Sequence, residues 1–146
     1  MNLLMEPKFH MILKPIVKRG SPKNFTTMIQ ENIAQLLQDC QSWRNNLRQY
    51  RDEFHNYENR IREVASKQLN KEQLFSVEHL HNQFDIQLLN IHDLKKALKT
   101  QEQLLSVDSI PEDIYHEQES LQAEYESLIH TLEGLKIELN SFLATL

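Results

Sequence analysis

A chain of 146 residues, 40% apolar and 25% charged with a net charge of −5, is long enough for one domain with a single core. Two glycines and four prolines argue against a turn-rich β architecture, one cysteine excludes an internal disulfide, and no run approaches the ~20 apolar residues of a membrane span. The abundance of Leu, Gln, Glu and Lys predicts few, long elements, and predicts that they are helices.

Residues 1–23 stand apart from the rest. They hold Pro7, Pro15, Gly20 and Pro22, and five bases (Lys8, Lys14, Lys18, Arg19, Lys23) against Glu6 alone, a local charge of +4. Met1, Leu3, Leu4 and Met5 run into Glu6-Pro7 with no long apolar core and no small-residue cleavage pattern, so no signal peptide is predicted and a soluble, cytoplasmic protein is expected. Prolines argue against a helix here. The segment is predicted to be a basic arm, either flexible or laid as an extended strip on the body of the protein. Lys14, Lys18, Arg19 and Lys23 are its candidate contacts to nucleic acid or an anionic surface.

The first helix is predicted over about 24–68. Ile29, Ile33, Leu36, Cys40, Trp43, Leu47, Tyr50, Phe54, Tyr57, Ile61 and Val64 follow one another at alternating spacings of four and three, a heptad seam with Ile33, Cys40, Leu47, Phe54 and Ile61 at position a. At 1.5 Å per residue this helix would be about 65 Å long, more than one globular core covers, so its stripe calls for other long helices. Four aromatic seam residues are bulkier than a parallel two-stranded zipper prefers, which favours a bundle of three or more helices. Cys40, at a, reads as a small core residue rather than a reactive thiol.

Near position 70 the register slips by two residues. Asn70 can cap a new helix there, with Gln73 completing a capping box and Leu69 and Leu74 available as a hydrophobic staple, so a tight turn is predicted. The second helix, over about 71–107, carries Val77, Leu80, Phe84, Ile91, Leu94, Leu98 and Leu105 on its seam. A second row, Phe75, His79, Asn82, Ile86 and Leu89, lies on the opposite side at the same four-and-three spacing. Three large apolar residues facing outward exceed scattered exposure, so this row is the predicted partner-binding surface. It is expected to meet the N-terminal strip, a second copy or another protein.

Ser109 and Glu112 form a candidate capping box for a third helix, predicted over about 110–145, with Pro111 in its first turn. Ile114, Gln118, Leu121, Tyr125, Leu128, Leu132, Leu135, Leu139, Phe142 and Leu146 continue one seam. From Ser109 onward eight acids face Lys136 alone, an acidic surface that argues against nucleic-acid binding by the body of the protein. Gln68, Gln87, Gln101 and Gln118 fall on core positions, where buried amides hold helix register.

Seven histidines invite a search for metal, and three acid-x-x-His pairs exist: Asp52/His55, Glu78/His81 and Asp113/His116. A di-metal carboxylate bundle needs such pairs pointing inward, plus core glutamates. Here only His81, at e, borders a seam, no Asp or Glu occupies a or d, and His79-x-His81 is too short to specify zinc. No metal or other cofactor is expected, nor a catalytic residue: both glycines stand alone, and long helices offer no strained elbow to present a nucleophile. A helical metalloenzyme is the remotest alternative.

Trp43-x₃-Leu47-x₂-Tyr50-x₂-Glu53, Asn59-Arg60-Ile61-x-Glu63 and Asn82-Gln83-Phe84 with Leu94 resemble small helical proteins of Bacteroidetes-type bacteria that carry no assigned activity. The resemblance covers the first two helices and implies no catalytic residue. A three-helix plan with tryptophan in the first helix also looks like a spectrin repeat. The predicted protein is all-α: an antiparallel three-helix coiled-coil bundle of long helices (24–146) with an extended N-terminal arm (1–23). Its expected role is that of a non-enzymatic interaction or scaffold module.

Overall fold

The computed structural model describes residues 25–146, with side chains from residue 28 onward; the arm lies outside the described residues. Among them are three helices and no strand: α1 (Phe25–Ala65), α2 (Lys71–Leu105) and α3 (Ile114–Leu143). The protein is an all-α helical bundle.

The junctions follow local hydrogen bonding. α1 ends three residues short of the expected Gln68 because its last turn tightens. Ser66 N donates to Glu63 O at 3.2 Å, Lys67 N to Val64 O at 3.0 Å, and the Ser66 hydroxyl also donates to Glu63 O. Gln68 is therefore exposed beyond the helix rather than in the core. At Asn70 the capping box forms as predicted, with Gln73 N donating to Asn70 Oδ1 at 2.8 Å and Asn70 N to Gln73 Oε1 at 3.0 Å. α3 begins at Ile114 rather than near 110. Its first bonds run from Ile114 N to Pro111 O and from Glu117 N to Asp113 O, so Asp113 rather than Ser109 stands at the helix entrance.

The residues pack as two compact units. One takes in the described chain through Asn45 together with Leu94–Glu126; the other comprises Asn46–Asp93 and Ser127–Leu146. In the first, Cys40 and Leu36 meet Gln118 while Trp43 stacks on Tyr125 at 5.3 Å, so α1 and α3 run in the same direction. Gln101 meets both Ile114 and Gln118. Two side-chain amides and a thiol share this centre. Gln101 Nε2 donates to Gln118 Oε1 at 2.9 Å and to Ile114 O, Gln118 Nε2 donates to Leu36 O, and the Cys40 thiol donates to Gln118 Oε1 at 3.5 Å. Above it Arg44 grips Glu102 through two nitrogens at 2.6 and 2.9 Å.

The second unit is built on rings. Phe54 meets Phe84 edge-on at 5.5 Å between centroids and Tyr57 at 5.1 Å, while Tyr57 lies 6.0 Å from Phe84. Such pairs contribute about 0.5–1.5 kcal/mol beyond the area they bury. Glu58 of α1 and Asp85 of α2 lie beside each other next to this cluster, while the Tyr50 hydroxyl donates to Glu133 of α3. All nine a and d positions of α2 from Val77 to Leu105 are buried, Gln87 and Gln101 included.

Candidate functional site

The second row on α2 projects away from that seam, all of it within the second unit. Phe75, Ile86 and Leu89 are 73%, 48% and 60% exposed, against 5% or less for the seam residues Val77, Leu80 and Phe84. His79 and Asn82 between them are exposed as well. Helical periodicity places the five on one face because positions three and four apart lie one above another. His79 marks the edge of the face toward α3, where its Nε2 stands 3.1 Å from Glu138 Oε1. There a groove of about 650 Å³ opens, lined by Asn70, Gln73, His79, Ile137 and Phe142 among others. Ile137 is 67% exposed and lies off the third seam; only its solitary f position hinted at it in the sequence.

A second constellation joins α1 to α2 beside the ring cluster. Glu58, His81 and Asp85 each offer a donor atom, and these atoms lie within 4.8 Å of one another. His81 Nε2 is 3.4 Å from Asp85 Oδ2, and His55 Nδ1 is 3.6 Å from Glu58 Oε1. Burial pushes the Glu58 carboxyl above its ordinary value and the adjacent Asp85 carboxylate pushes it further, while His55 and His81 pull it down. The acid-x-x-His pairs of the sequence are not the ones that meet; the pairs that form run in the opposite order, His55 with Glu58 and His81 with Asp85. The signal was available. Glu58 and His81 both occupy position e, and in an antiparallel helix pair the two e positions flank the same side of the seam.

The other predicted residues are dispersed. Asp52, Glu78, Asp113 and His116 are all exposed. Lys14, Lys18, Arg19 and Lys23 lie outside the described residues. Cys40 is fully buried, and burial pushes its thiol up to about 12, so its nucleophilic form is disfavoured. No helix of the described residues is long and apolar enough to cross a membrane. Comparison with protein-family models, curated proteins and solved structures finds no match to this chain.

Proposed function

We propose that the protein is a non-enzymatic interaction module whose contact surface is the row Phe75, His79, Asn82, Ile86 and Leu89, and that a second copy of the chain occupies it. The observation that supports this reading is the exposure of three large apolar side chains in one continuous row on a helix whose opposite face is fully packed. The row is close to self-complementary. Two copies crossing antiparallel at Asn82 set Phe75 opposite Leu89 and Ile86 beside His79, the reciprocal pairing that a twofold interface requires.

Energetics make such a contact reversible. Each large apolar side chain contributes about 1.5–3 kcal/mol on full burial, and each here is already partly covered. Association itself costs roughly 4–15 kcal/mol, so six such side chains offset it by a modest margin. Light scattering coupled to size exclusion over a hundredfold concentration range tests the reading. The intact chain is expected to show a dimer that dissociates on dilution, and Ile86→Asp/Leu89→Asp a folded monomer. A monomer at every concentration, or a dimer untouched by the double substitution, would sink it.

A further inference from the structure

We propose that Glu58, His81 and Asp85 form a binding site for one divalent transition-metal ion of the zinc class, joining α1 to α2. The three donor atoms already lie within 4.8 Å of one another. A tetrahedral ion with bonds of about 2.1 Å holds its ligands about 3.4 Å apart, and His81 Nε2 and Asp85 Oδ2 stand at 3.4 Å. Closing the site thus asks for side-chain rotation at Glu58, not for movement of a helix.

The backbone frame is held from beneath. His81 and Asp85 sit one turn apart on α2, at the four-residue spacing that stacks side chains on a helix face. Between them in sequence, Phe84 packs on Phe54 and Tyr57 of α1, which sets Glu58 at the same level across the seam. Preorganisation of this kind lowers the entropy cost of assembling a ligand set.

Charge and donor type select the ion. Glu58 and Asp85 bring two carboxylate oxygens within 4.8 Å of each other, and among the described residues no Lys or Arg forms an ion pair with either. A divalent cation would neutralise both. One imidazole with two carboxylates suits zinc and its neighbours; calcium and magnesium prefer all-oxygen shells of six or more ligands. His55 Nδ1, 3.6 Å from Glu58 Oε1, is placed to orient the same carboxylate, as partners of ligating carboxylates do. The Glu58 side chain is largely covered whereas His81 and Asp85 are about half exposed, so a fourth coordination position opens to solvent. Three protein ligands and one open position describe an exchangeable rather than a closed site.

Isothermal titration of the full chain with Zn²⁺ at pH 7, with Mg²⁺ as comparison, tests the assignment. One Zn²⁺ is expected per chain, with Mg²⁺ binding at least a hundredfold weaker. His81→Ala, Asp85→Asn and Glu58→Gln should each weaken Zn²⁺ at least tenfold, and His130→Ala should leave it unchanged. Zn²⁺ should also raise the melting temperature of the intact chain and not that of His81→Ala. Asp85→Asn and Glu58→Gln preserve side-chain volume and guard against loss of binding through unfolding, which circular dichroism reads directly. Absence of binding at micromolar Zn²⁺, or binding undiminished in His81→Ala, would overturn the proposal and leave an ordinary exposed His–Asp pair.

Discussion

Cys40 carries a chemical signature that its heptad position alone does not convey. Its thiol is enclosed, donates to Gln118, and is pushed from an ordinary 9.0 up to about 12 by burial first of all. A raised folded-state value means that the native protein keeps the proton while the unfolded chain gives it up. Stability is therefore unaffected below pH 9 and falls as pH rises between 9 and 12, by about 1.4 kcal/mol per unit from this group. Urea titrations at pH 8 and 10.5 should show the intact chain losing about 2 kcal/mol more than Cys40→Ala over that interval; equal losses would contradict the burial argument. Gln118 is the partner that matters most in the same cluster. Gln118→Leu removes the side-chain donor to Leu36 O and costs Gln101 and the Cys40 thiol one acceptor, so denaturant unfolding should register a loss of about 1–3 kcal/mol, against near neutrality if these amides were idle.

At the scale of elements, the two junctions differ in how they begin the next helix. Asn70 and Gln73 exchange two hydrogen bonds, so Asn70→Ala should destabilise the protein by about 1 kcal/mol in thermal or urea unfolding. Ser109 was expected to play the same part for α3, but the helix starts at Ile114, after Pro111 has supplied the first carbonyl. Ser109→Ala should accordingly stay within about 0.5 kcal/mol of the parent. A capping box is a local pattern and both sequences satisfy it; what separates them is where the apolar stripe allows the helix to dock. Ile114 is buried, whereas Ile110 and Pro111 are only half-buried and the residues before them are exposed, so packing selects the later start.

For the whole molecule, the proposed self-association has a thermodynamic consequence apart from mass. If folding and pairing are linked, the melting temperature should rise with protein concentration for the intact chain, and this dependence should vanish in Ile86→Asp/Leu89→Asp. A melting temperature that does not vary across a hundredfold range would count against the dimer. The acidic surface of α3 bears on the same question. Lys136 lies between Glu53 and Glu133, at 3.3 and 3.5 Å, and leaves the other carboxylates of that helix exposed to solvent or half-buried. Mutual repulsion of acidic faces would steer two copies to meet through α2.

The sequence by itself determined the helices, their seams and the outward row, because each is a matter of period. An apolar residue every 3.5 positions has one side to bury, and Phe75, Ile86 and Leu89 are visible as a second side once the first is accounted for. It also determined the turn at Asn70, where a slip in register coincides with a cap. Tertiary structure decided what depends on two helices at once. Glu58 is 23 residues from His81; their shared e positions put them on one side of the seam, but period does not set them at one level. Only antiparallel docking through Phe54, Tyr57 and Phe84 brings Glu58, His81 and Asp85 together, and only packing of α1 against α3 encloses the Cys40 thiol with Gln118. Periodicity states which face of a helix is buried; which side chains then meet across the seam depends on direction and level, and these are set when the faces interlock.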